Sequence, residues 1–261
     1  MNKLKKIIKK LLSFFNLEIR HSQKELKLNL IPEVSQIQKN IPEISEIEKN
    51  IIEICGKYSM TGELRMYVLS QAIKYVKNNN LDGDFVECGI WKGGNIILFQ
   101  KFNLLFDLKK KIYGFDTFEG MSEPSEEDQH NNIPAKIVAK RDGFKNISDW
   151  CRSSHNEVKK NICKNTNIEN IYLVKGKVEN TLLEKKNLPE KISILRLDTD
   201  WYQSTKIELE VLFKKLVSGG VLIIDDYGHW QGARKAVDEY FKGQNIWLHY
   251  VDNTCRYLIK K

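Results

Sequence analysis

Two short apolar runs, residues 192–197 and 220–224, bracket a stretch, residues 205–217, whose apolar side chains recur at helical spacing. That order is a βαβ unit. A right-handed crossover sets its two strands parallel in one sheet, so both carboxyl ends open on the same edge, where ligands of open α/β sheets bind. Asp198 follows the first run, and Asp225 and Asp226 follow the second. Three carboxylates would then meet in one crevice. Like charges that close raise one another's pKa unless a cation sits among them, and an all-oxygen set suits a hard ion such as Mg²⁺. Taken singly, Asp198 reads equally as a helix cap and Asp225-Asp226 as a turn before Gly228.

The alternation of strand and helix continues upstream. Residues 63–78 have helical periodicity, and Asp82-Gly83 turns into a first strand over 84–88. A glycine-rich loop, Gly89 to Gly94, leads into a helix from 95 to about 105; a second strand over 111–115 ends at Asp116. A helix around 156–165 and a strand over 171–174 follow. The pattern predicts an α/β fold: a doubly wound, mostly parallel, Rossmann-like sheet with helices on both faces. Residues 119–152 are polar and aperiodic, which predicts a structureless functional loop or lid. Residues 31–40 and 41–50, IPEVSQIQKN and IPEISEIEKN, are a near-identical tandem pair. Two linker turns or short helices, each opened by proline, are expected there.

With 41% hydrophobic and 29% charged residues over 261 positions, the chain can bury one sizeable α/β core. No stretch reaches the roughly 20 apolar residues needed to span a bilayer. Five cysteines without a C-x-x-C pair read as reduced thiols, which points to a cytoplasmic protein. The net charge of +8 is concentrated rather than spread: six basic side chains against Glu18 in residues 1–20 supply five of the eight charges. No nucleic-acid partner is therefore expected. In that segment Leu4, Ile7, Ile8, Leu11, Phe14 and Phe15 share one helical face. Such a basic amphipathic helix lies on anionic lipid, here at the inner membrane surface, or docks on protein.

The first-loop pattern Glu87-x-Gly89-x-x-x-Gly93-Gly94 stands where doubly wound folds hold a cofactor. It departs from the G-x-G-x-x-G dinucleotide fingerprint, and Glu87 sets a carboxylate where a pyrophosphate would sit. A cationic ligand such as S-adenosylmethionine fits better. Asp116, at the tip of the second strand, is placed to hold ribose hydroxyls; a turn aspartate is the plainer alternative.

The segments GDFVECGIWKGGN (83–95), YGFDTFEGM (113–121), LRLDTDWYQST (195–205) and GGVLIIDDYGHWQGARKAVDEYF (219–241) resemble the macrocin O-methyltransferase family. These are S-adenosylmethionine- and Mg²⁺-dependent enzymes that methylate sugar hydroxyls of macrolides and other glycosides, with relatives in surface-polysaccharide gene sets. The resemblance covers about 58–261, with VDNTCRYLIKK as the closing strand, and leaves 1–57 as an N-terminal helical extension and linker. It implies that Glu87, Gly89 and Gly93 line the methionine end of the cofactor, that Asp116 holds its ribose, and that Gly176 and Val178 lie beside the adenine. The family usually has an aromatic where this chain has Val178. Asp198, Asp225 and Asp226 would bind Mg²⁺, with Asp198 also the base.

The expected reaction is in-line methyl transfer to a sugar or glycoside hydroxyl that has been oriented and made acidic by the cation. His229, just past the aspartate pair, is a second candidate base. Trp201, Tyr202, Tyr227 and Trp230 either stack on the sugar or pack the core. A homo-oligomer is the expected assembly. Two alternatives stand beside this reading: a nicotinamide-dependent oxidoreductase, which the acidic loop disfavours, and a non-catalytic cofactor-binding protein of a membrane-associated assembly, which three retained carboxylates disfavour.

Overall fold

The computed structural model describes residues 41–261. The amphipathic segment 1–20 and the first decapeptide copy, 31–40, lie outside the described residues. The second copy is not a linker. Ser45 caps helix α1 (Glu46–Gly56), its hydroxyl accepting from the Glu48 amide while the Glu48 carboxylate accepts from the Ser45 amide. Pro42 lies in the turn ahead of this capping box and does not open the helix. Ile51, Ile52 and Cys55 of α1 are buried in the main core, so the compact domain begins before residue 58.

Helix α2 (Glu63–Asn78) covers the span its periodicity predicts. Five parallel strands follow in the chain: β1 (Asp84–Cys88), β2 (Ile112–Asp116), β5 (Ile171–Lys175), β6 (Ile192–Leu197) and β7 (Leu216–Ile224). Two closing strands, β8 (His249–Tyr250) and β9 (Arg256–Ile259), complete a seven-stranded sheet ordered β5-β2-β1-β6-β7-β9-β8, with β9 antiparallel to β7. Strand order reverses at β1, which has β2 on one side and β6 on the other. The crevice beyond the β1 and β6 ends is the topological switch point.

The central strands are apolar nearly throughout because both faces are covered. Phe85, Ile194 and Ile223 enter a core with α1, α2, α3 (Gly94–Leu105) and α5 (His155–Asn165). Their strand neighbours Val86, Leu195 and Leu222 point to the opposite core, with α6 (Val178–Thr181), α7 (Tyr202–Leu212) and α8 (Gln231–Tyr240). Helix α3 is apolar on most sides, since α1, α2 and α5 surround it above the sheet; its Phe99 stacks on Phe85 at 5.0 Å.

Residues 119–152 are folded, contrary to the structureless loop expected from their polarity. A hairpin, β3 (Gln129–His130) and β4 (Ile133–Pro134), turns through Asn131 and Asn132, both at positive φ, which asparagine tolerates. Helix α4 (Ala135–Arg141) and a 3₁₀ turn at Ile147–Asp149 complete a cap. Elements this short carry too few residues for periodicity to register. Among the described residues no helix is long and apolar enough to cross a membrane.

Candidate active site

Backbone hydrogen bonds between neighbouring strand ends set the candidate residues side by side. The Gly89 amide donates to Phe115 O, Asp198 to Cys88 O, Asp225 to Leu197 O and Gly176 to Asp116 O, at 2.8–2.9 Å. Above this row lies a cavity of about 430 Å³ lined by Gly89, Asp116, Gly176, Val178, Asp198, Asp225, Asp226 and His229, among others. Met60, Thr61 and Arg65 border it from the start of α2, and Trp150 and Cys151 from the cap.

At one end the floor is the first glycine loop. Gly89 has φ +81, and a Cβ there would lie 1.9 Å from Asp198 O, so no other residue fits. Gly93, at φ +88, faces Val158 and Ile162 instead of the cavity; it starts α3 and lets α5 pack close. Asp116 accepts from the Ile90 and Trp91 amides through Oδ2, at 2.8 and 3.1 Å, and from Phe118 through Oδ1 at 2.7 Å. Burial raises its pKa against those three bonds. These contacts hold the loop on the β2 tip and aim the carboxylate at the cavity.

Glu87 does not line the cavity. It is 1% exposed, beneath the floor, accepting from Arg196 at 2.7 Å and Asn95 at 2.8 Å. Burial lifts its pKa to about 7. Its reach toward the site runs through Asn95, which also bonds the cavity-lining Thr61 at 3.1 Å.

At the other end the three carboxylates that converge are Asp198, Asp200 and Asp226, with one oxygen from each within 4.8 Å of the others. Asp225 is drawn away from the expected trio. It is buried between two guanidiniums, Oδ1 at 2.5 Å from Arg196 Nη2 and Oδ2 at 2.6 Å from Arg65 Nη1. The two arginines explain the split: they hold Asp225 by both oxygens, while Asp226, one position on in the bend that follows β7, joins the cluster. Asp200 replaces Asp225 in the cluster because its backbone turns to φ +70, a conformation aspartate tolerates better than most residues.

Arg196 organises the basement of the site. At 1% exposure it donates to Glu87, Asp198, Asp225 and Thr61. Its bond to Asp198 Oδ2, at 2.6 Å, does not offset burial, which raises the Asp198 pKa to about 6. Burial, reinforced by the neighbouring aspartates, raises Asp200 to about 7 and Asp226 well above the usual range. Closely set, under-compensated carboxylates with only oxygen donors are the setting a hard divalent cation fits.

His229 lines the same cavity, and burial lowers its pKa. His130 of the cap stacks on it at 4.2 Å and donates from Nδ1 to His229 O at 2.9 Å. The aromatic expectation divides. Trp230 lines the cavity, Trp201 packs behind it at 5.0 Å, and Trp150 closes over both. Tyr202 and Tyr227 lie away from it, bonded to Glu239 and Asp238. The cap is fastened by Asp128, which accepts from Ser125 and from the Tyr202 amide at the start of α7, both at 2.7 Å.

A sheet of this order, with a glycine loop, a β2-tip carboxylate and the cavity at the switch point, defines an S-adenosylmethionine-dependent methyltransferase. The chain belongs to the macrocin O-methyltransferase family, which matches it over residues 44–260. Among curated relatives, demethyldecarbamoylnovobiocin O-methyltransferase of Streptomyces niveus is 29% identical over 187 residues, covering 70% of this chain and 67% of the relative. A tetracenomycin-type rhamnosyl 4'-O-methyltransferase of Streptomyces olivaceus is 28% identical over 199 residues, with the same coverage of 70% and 67%. The solved structure of the O-methyltransferase NovP superposes with a TM-score of 0.69 at 27% identity, covering 78% of this chain and 82% of that one.

Proposed function

We propose that this enzyme methylates a hydroxyl of a sugar or glycoside with the help of a divalent cation, Mg²⁺ by its donor chemistry, held by Asp198, Asp200 and Asp226. The observation that carries this reading is the convergence of those three carboxylates on one cavity with the cofactor loop. The names of the curated relatives, which include a rhamnosyl 4'-O-methyltransferase and a mycinamicin 3''-O-methyltransferase, support the acceptor class.

In this reading Gly89, Asp116, Gly176 and Val178 line the cofactor half of the cavity. Val178 offers an apolar contact and no stacking ring to the base. When bound, the cation supplies Lewis acidity that lowers the pKa of an acceptor hydroxyl. Asp198 takes the proton: Arg196 fixes Oδ2, and Oδ1, which receives no hydrogen bond among the described residues, is left for the acceptor hydroxyl. The acceptor oxygen then attacks the methyl carbon in line with its bond to sulfur, the C–S bond breaks as the O–C bond forms, S-adenosylhomocysteine leaves, and Trp150 and Trp230 keep water from that path. His229 orients the acceptor from the cap side.

Methyl transfer from S-adenosylmethionine to a panel of glycosides tests the proposal. Asp198→Asn should abolish transfer while His229→Asn retains a measurable rate. The reverse order would make His229 the base.

A further inference from the structure

We propose that Trp230 is a positioning residue for the cation site, its indole N–H holding the Asp200 carboxylate in the orientation the cluster needs. The inference rests on the cation reading of Asp198, Asp200 and Asp226.

Trp230 is 1% exposed, and a buried indole N–H needs an acceptor. Its neighbour Trp201 meets the same need with a carbonyl, Ser122 O at 2.9 Å. Trp230 instead donates to Asp200 Oδ2 at 3.1 Å, a member of the cluster. Asp200 needs such a hold, because it lies beyond the end of β6 at φ +70 and, among the described residues, has no arginine on it, unlike Asp198. With Oδ2 tied to the indole, the carboxylate cannot rotate freely. Outer-shell donors of this kind orient metal-binding carboxylates and are worth about 10–100-fold in affinity.

The indole is also touched by the cap. Trp150 of the cap packs against its ring at 5.8 Å, and from outside the cap His229 at 4.8 Å and Trp201 at 5.0 Å complete its surround, each near edge-on. Cap and cluster therefore share one rigid side chain, so cap docking and cation affinity are coupled through it.

The test is Mn²⁺ binding to the metal-stripped full chain, read by the electron paramagnetic resonance of free Mn²⁺. The wild type is compared with Trp230→Phe, which keeps a ring and removes the N–H, and with Trp247→Phe, an exposed tryptophan outside the cavity, as a control. Trp230→Phe should weaken binding about 10–100-fold, and Trp247→Phe should not. Equal affinity in wild type and Trp230→Phe overturns the inference alone; a wild type that binds no Mn²⁺ overturns the cation reading beneath it. Should Trp230→Phe fail to fold, indole ¹⁵N–¹H resonances of the wild type decide during a Mg²⁺ titration. The Trp230 signal, assigned by replacing the other four tryptophans in turn, should shift and saturate. A stationary Trp230 signal while Mg²⁺ binds overturns the inference.

Discussion

Arg196 Nη1 donates to Asp198 Oδ2 at 2.6 Å across two positions of the chain, from inside β6 to the residue just past its end. The i,i+2 spacing sends both side chains to the same face. A buried cation thereby becomes the anchor of a residue that faces the cavity. The same guanidinium compensates Glu87 and Asp225, so three carboxylates depend on it.

Arg196→Leu should therefore destabilise the protein by about 3–5 kcal/mol, the usual cost of leaving buried charges without their partner. Urea unfolding measures this. A loss below about 1 kcal/mol would mean that the carboxylates are protonated or solvated without it.

Adjacent aspartates should behave oppositely. Asp225→Asn breaks ion pairs to Arg196 and Arg65 and should lower the melting temperature. Asp226→Asn and Asp200→Asn relieve repulsion within the cluster, so the metal-free protein should melt no lower, and higher if burial of the charge dominates. Transfer activity should nevertheless be lost in both. Equal melting losses for Asp225→Asn and Asp226→Asn would contradict this division.

How much of this was legible in the chain follows from periodicity. The strands around Asp116, Asp198 and Asp225 read correctly because each is a short apolar run flanked by turn residues, and the residue after each run had to lie on one edge. Which way those carboxylates turn was not legible: Asp225 and Asp226 differ by one position, and the choice was made by the two arginines beneath. Arg196 did leave a signal, a charge inside the apolar run ISILRL. Asp200 stood in the DTD motif, yet only its left-handed backbone brings it into the cluster. Glu87 read as a cofactor residue because its role below the floor depends on Asn95 and Arg196, contacts that spacing does not encode. Asp128 and His130 were hidden in a cap whose elements are two to seven residues long.

Stability should fall toward alkaline pH through Glu208. This carboxyl is fully buried on α7, accepts from Thr199 at 2.9 Å and, among the described residues, leaves Oε2 without a partner; burial raises its pKa well above the usual range. The folded chain then keeps a proton that the unfolded chain releases near pH 4.3. Its contribution is full below that pKa and declines as pH rises, by about 1.4 kcal/mol per unit, until the folded pKa is reached. Urea midpoints at pH 6 and pH 9 should converge in Glu208→Gln relative to wild type. Parallel pH dependences would place the titration elsewhere.

The cap should tighten when the cavity fills. Proteolysis within 119–152 should slow with S-adenosylhomocysteine and an acceptor present, and Trp150→Ala, which removes the cap's ring from Trp201 and Trp230, should speed it without ligand. Identical cleavage under all conditions would make the cap a static wall.

The most direct test of the account is methyl transfer by the metal-stripped enzyme from S-adenosylmethionine to a glycoside acceptor, with S-adenosylhomocysteine binding followed in parallel. The account predicts that transfer vanishes in excess chelator, returns with Mg²⁺ in wild type, and does not return in Asp200→Asn, while cofactor binding persists throughout. Full transfer in excess chelator would contradict it.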